Sequence, residues 1–89
     1  MKTLSIIVTG KVQGVWYRQG TREKAISLGI TGVVRNEPDG SVFIIATGTD
    51  AQLEDFISWC RQGPPRAQVN NLEVKDLPLQ HFDKFVIER

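Results

Sequence analysis

Cysteine is almost missing from this chain: Cys60 is alone among 89 residues. A single thiol closes no intrachain disulfide, so burial and hydrogen bonds must hold the fold, and a cytoplasmic location is expected. Histidine is as scarce, with His81 the single example. One Cys and one His cannot build a Cys/His cluster, so no metal and no cofactor are expected. An excess of one charge is lacking too: 11 Lys and Arg against 10 Asp and Glu, interspersed along the chain, leave a net charge of +1. That balance argues against a nucleic-acid partner or an anionic membrane surface. The apolar run Ile6-Ile7-Val8 near the N-terminus is too short for a signal-peptide core, and no run approaches membrane-spanning length.

What remains is ordinary for a small globular protein, with 40% hydrophobic and 24% charged residues. Residues 1–89 have room for one domain and one core, and a monomer is expected. Leu4, Ile6 and Val8 alternate with Thr3, Ser5 and Thr9, the pattern of a first strand. A helix is expected from about Trp16 to Leu28, with Tyr17, Thr21, Ala25 and Leu28 on one stripe and Gly29 ending it. Thr31–Arg35 and Ser41–Thr47 form two strands around the turn Glu37-Pro38-Asp39-Gly40. Thr49 or Asp50 caps a second helix, whose Leu53, Phe56, Ile57 and Cys60 recur at i, i+3, i+4 and i+7 before Gly63-Pro64-Pro65 stops it. Val69–Asp76 and a short segment around Phe85 and Ile87 supply the last strands. The order β-α-β-β-α-β with a terminal extra strand predicts a ferredoxin-like α+β sandwich, two helices on one face of an antiparallel sheet.

The chemistry concentrates between the first strand and the first helix. Gly10 and Gly14 let the backbone bend so that successive N–H groups point at one centre. The helix behind them adds its own unpaired N–H groups and the positive end of its dipole. Arg18 supplies a planar, permanently charged fork suited to phosphate oxygens. Gln13, Gly14, Val15, Trp16, Tyr17 and Arg18 are therefore the segment expected to wrap an anion. In the split arrangement strand three lies between strands one and two, which end at the same edge. Asn36, closing strand two, should then face Arg18 across about two strand spacings, ~10 Å. Taken locally, Asn36 is equally well a turn residue ahead of Pro-Asp-Gly.

A phosphate cradle offers positioning and charge stabilisation, the chief needs of phosphoryl transfer. The loop has no Cys, Ser or His to attack phosphorus, which leaves water, and the Asn36 amide can both accept from water and donate to it. Without a strong general base the substrate needs a good leaving group, as in a mixed anhydride of phosphate and a carboxylic acid.

The residues Val8-Thr9-Gly10-Lys11-Val12-Gln13-Gly14-Val15-Trp16-Tyr17-Arg18, followed by Gly32-Val33-Val34-Arg35-Asn36 and then Gly40, Val42 and Gly48, resemble the two signatures of the acylphosphatase family. The resemblance implies hydrolysis of acyl phosphates to carboxylate and inorganic phosphate without metal or cofactor. It implies that Arg18 binds the phosphoryl group and that Asn36 orients the attacking water; from the cradle itself, inorganic phosphate, the product, is expected to inhibit competitively. Tyr17 stands where the family usually carries Phe or Met, and Val33 where it usually carries an aromatic; both are expected to pack beside the site. An alternative is a non-catalytic module that binds an acyl or carbamoyl phosphate for another protein. A third reading, single-stranded RNA binding on the same fold, is weak: Ser41–Ala46 offers one aromatic and no basic-glycine-aromatic pattern. Lys11 is expected to be solvated, Cys60 to be a buried small hydrophobe, and His81 to lie in a polar loop without a role.

Overall fold

The computed structural model describes residues 1–89. Strand β1 (Lys2–Lys11) leads to helix α1 (Tyr17–Leu28), strands β2 (Thr31–Asn36) and β3 (Val42–Gly48), helix α2 (Asp50–Gln62), and strands β4 (Gln68–Leu77) and β5 (Phe85–Ile87). The strands form one sheet in the order β4-β1-β3-β2-β5. The ferredoxin-like α+β architecture is thus present, with β3 between β1 and β2. Pairings β1–β3, β1–β4 and β2–β3 are antiparallel, whereas β5 runs parallel to β2. The sheet is therefore mixed where the pattern suggested an antiparallel one.

The route of the chain explains that parallel edge. β4 and β5 lie at opposite edges, so the segment between them must cross the whole sheet. It does so on the face away from the helices. Thr3 and Thr47, which alternate with the core-facing Leu4 and Ala46, share a hydroxyl hydrogen bond of 2.7 Å. Thr47 Oγ1 donates to the Gln80 carbonyl at 2.9 Å, and Gln80 N–H donates to Thr3 Oγ1 at 2.9 Å. These bonds satisfy two buried hydroxyls and pin the crossing segment at the β1 start. β5 then sets out from the end where β2 begins and runs beside it.

The opposite face carries the core. Leu4, Ile6 and Val8 of β1, Val42, Ile44 and Ala46 of β3, Val34 of β2 and Phe85 of β5 are buried with Ala25 of α1 and Leu53, Phe56 and Cys60 of α2. Phe56 and Phe85 meet edge to face, with centroids 6.1 Å apart. Gly20 of α1 lets the helices close up: a Cβ there would sit 2.9 Å from the Trp59 ring. That contact accounts for a glycine inside a helix, where it costs ~1 kcal/mol against alanine.

The two helices differ at their ends. α2 opens on a capping box in which Thr49 Oγ1 accepts from Gln52 N–H and Gln52 Oε1 accepts from Thr49 N–H. At its far end Pro64 has no N–H to offer the Cys60 carbonyl, and the Tyr17 hydroxyl donates there instead, at 2.7 Å. α1 ends on Gly29 but begins on Trp16 with no side-chain cap. No helix is long and apolar enough to cross a membrane.

Candidate active site

The segment between β1 and α1 is shaped by two backbone departures. At Gly10 the β1–β4 register shifts, and a Cβ would meet the Gln68 carbonyl at 2.1 Å, so a bulge with φ +127° bends the strand just before its last residue. Gly10 thus belongs to β1 and not to the cradle, contrary to the expectation that both glycines shape it. Gly14 is the cradle glycine, with φ +73° and open space around its Cβ position. Two residues on, Trp16 repeats the left-handed turn at φ 68°, ψ 21°, the one non-glycine residue with positive φ. A bulky residue held there costs of order 1–3 kcal/mol and is typical of binding clamps.

This bend leaves a row of backbone donors without protein partners. None of the N–H groups from Gly14 to Gln19 donates a hydrogen bond within the molecule, and the first intrahelical bond at this end is Gly20 N–H to the Trp16 carbonyl at 3.0 Å. Their partial positive charge adds to the N-terminal end of the α1 dipole. An anion seated here would find donors that no protein group already occupies.

All of the residues from Gly14 to Gln19 except Val15 line a cavity of about 370 Å³, together with Asn36, Val12, Ile87 and Arg89. Arg18 and Asn36, half-buried and 18 positions apart, thus share one cavity. Arg18 Nη1 lies 3.4 Å from the Glu88 carbonyl, a long contact that leaves the rest of the fork free. The Asn36 Oδ1 is buried and accepts no hydrogen bond. A buried amide oxygen without a donor costs about 1–3 kcal/mol, so the side chain of this wall residue carries unused hydrogen-bonding capacity.

The other loop residues do different work. Gln13 is not in the cavity wall; its Nε2 donates to the Glu37 and Ser41 carbonyls, both at 2.9 Å. It thereby ties the cradle to the turn that follows Asn36, a bond across elements and not within its own loop. The Val15 side chain is buried in the core. The Tyr17 ring is buried against Trp59, centroids 5.5 Å apart, and its hydroxyl serves α2. Trp16, by contrast, is 71% exposed. Lys11 is exposed and outside the wall, and so is His81. Val33 pairs with Ile45 in the middle of the sheet, on the face opposite the buried Val34, and does not border the cavity.

No carboxylate, imidazole or thiol side chain lines the cavity. Glu37 and Glu88, which flank it in sequence, both turn to Arg35, at 2.6 Å and 3.4 Å. Burial pushes the Cys60 thiol up to about 12, so it stays protonated and unreactive. No group of three or more His, Cys, Asp or Glu residues is placed to hold a metal ion. The wall residues that sequence reasoning missed are Val12, Gln19, Ile87 and Arg89. Ile87 and Arg89 arrive there through the cross-sheet route of the chain, which leaves no local signal.

Comparison with known proteins points one way. A family model described as Acylphosphatase matches residues 4–87. An acylphosphatase of Methylococcus capsulatus is 43% identical over 90 residues, spanning 100% of this chain and 98% of that protein. One from Marinobacter nauticus is 49% identical over 81 residues, covering 90% of this chain and 88% of the relative. Among solved structures, the Bacillus subtilis acylphosphatase superposes with a TM-score of 0.97 at 32% identity, and each chain is covered over 100% of its length.

Proposed function

The chain belongs to the acylphosphatase family, whose reaction is the hydrolysis of acyl phosphates, and we propose that it performs this reaction by direct attack of water positioned by Asn36. The observation that supports the mechanism is the row of unpaired N–H groups from Gly14 to Gln19, whose residues other than Val15 line the same cavity as Asn36. The phosphoryl group sits in that row. Its equatorial oxygens take hydrogen bonds from the backbone and from the Arg18 fork, and these donors offset the charge that builds on them in the transition state.

The Asn36 amide hydrogen-bonds the water and turns its lone pair toward phosphorus. The new P–O bond forms as the bond between phosphorus and the acyl oxygen breaks. The electron pair leaves with the carboxylate, and the proton of the attacking water passes to the products. A carboxylate departs without prior protonation, which suits a cavity with no carboxylate or imidazole side chain in its wall. Gln13 is a positioning residue that holds the cradle and the Asn36 turn in register. No step calls on a divalent metal, and turnover is expected to persist in excess chelator. Inorganic phosphate occupies the same cradle and inhibits competitively, and the protein acts as a monomer.

Turnover of an acyl phosphate in chelator by wild type, Arg18→Ala and Asn36→Ala tests the assignment. Arg18→Ala is expected to lose both rate and phosphate affinity, since its charge acts on substrate and transition state alike. Asn36→Ala is expected to lose about 10²–10³ in kcat while its phosphate inhibition constant stays near wild type. A comparable loss of phosphate affinity in Asn36→Ala would contradict its role with the water. Tight phosphate binding by a folded wild type that never turns over would favour a binding module instead.

A further inference from the structure

Trp16 does something that the mechanism above leaves unused. That mechanism calls on its N–H, whereas the indole ring has no assigned task. Among the exposed large apolar residues, Met1, Ile26, Val74 and Leu79 lie away from the cavity, and Trp16, 71% exposed, is the one in its wall. It is also the one non-glycine residue with positive φ, so the loop turns this side chain outward against the preference of its own backbone. An indole that buries little contributes little to the core, and a glycine would make the same turn at lower cost.

The substrate has two ends, and the cradle recognises one of them. In-line displacement places the leaving acyl oxygen opposite the attacking water, so the acyl group points away from the water held by Asn36. Asn36 reaches the cavity from β2, while Trp16 reaches it from the segment between β1 and α1. Val12 and Ile87 supply the other apolar contacts of the wall. We infer that Trp16 is a specificity-determining residue whose ring receives the acyl group, so that the site favours aryl and other extended apolar acyl phosphates over acetyl phosphate. This rests on the acyl phosphate reading given above. Stacking on an open aromatic face discriminates by roughly fivefold to tenfold.

The test is the ratio of kcat/KM for benzoyl phosphate to that for acetyl phosphate in wild type, Trp16→Ala and Trp16→Phe. The ratio is expected to fall about fivefold to tenfold in Trp16→Ala, chiefly through the benzoyl phosphate KM, and to recover largely in Trp16→Phe. A ratio unchanged in Trp16→Ala overturns the inference, because both substrates then sense only the shape of the loop. Binding of benzylphosphonate and methylphosphonate separates this idea from the reaction itself. Should wild type hydrolyse neither substrate, the hydrolytic reading fails. Tighter binding of benzylphosphonate, lost in Trp16→Ala, would still uphold the role of the ring, and equal binding of the two phosphonates would refute it.

Discussion

Arg35 sits next to Asn36 in β2 and points to the other face of the sheet, where it holds two carboxylates at once. Its Nε is 2.6 Å from Glu37 Oε1, its Nη1 is 3.4 Å from Glu88 Oε1, and its guanidinium carbon lies 4.6 Å from the Phe43 ring centroid. Each ion pair is partly exposed and adds little stability alone. Glu37 follows Asn36 and Glu88 separates Ile87 from Arg89, so Arg35 neutralises two carboxylates that stand one residue from the cavity wall. Freed from Arg35, both carboxylates could swing toward the anion. Arg35→Gln is therefore expected to weaken inhibition by inorganic phosphate about twofold to fivefold at low ionic strength, and less at high salt. Restoring affinity by adding Glu37→Gln and Glu88→Gln would show that charge is the cause; no change in any of these variants would remove the role.

At the scale of the element, the two helices divide the labour of their ends. α2 is closed at both, by the Thr49 and Gln52 capping box and by the Tyr17 hydroxyl on the Cys60 carbonyl. α1 is left uncapped where its N–H groups face the cavity. Thr49→Ala is expected to cost about 1 kcal/mol of stability in urea unfolding with kcat/KM unchanged. Tyr17→Phe removes the donor from a buried carbonyl and is expected to cost about 1–3 kcal/mol in the same measurement; a midpoint equal to wild type would mean that another donor replaces it. Most elements were legible from alternation and capping residues, since Leu4-Ile6-Val8 and Leu53-Phe56-Cys60 carry strong periodicities and Gly29 and Gly63 mark helix ends. The pairing of Arg18 with Asn36 followed from strand order alone. What stayed hidden depends on contacts between distant segments: the bonds of Gln13 to the Glu37 and Ser41 carbonyls, the passage of Gln80 over Thr3 and Thr47, and hence the arrival of Ile87 and Arg89 at the cavity. The Tyr17 hydroxyl belongs with these, because its use becomes visible only when α1 lies on α2.

At the scale of the whole molecule, burial sets the response to alkali. The Cys60 thiol is pushed from 9.0 up to about 12, and burial raises the Tyr17 phenol above its ordinary 10.0. The folded protein keeps protons that the unfolded chain releases. Stability from these groups is therefore fully present below pH 9.0 and is lost as pH rises through the alkaline range toward about 12. The urea midpoint is expected to hold steady through neutral pH and to fall above pH ~9, and a midpoint that stayed level through pH ~11 would contradict the burial of both groups. The seam of Thr3, Thr47 and Gln80 has a kinetic meaning as well. It joins positions 77 apart in the chain and holds the segment that delivers β5 to β2. Loop closure over such distances comes late and slowly in folding. Since Ile87 and Arg89 complete the cavity wall, a refolding chain should recover its helices first and its turnover only after the long-range sheet contacts close, with catalytic activity serving as the clock for that step.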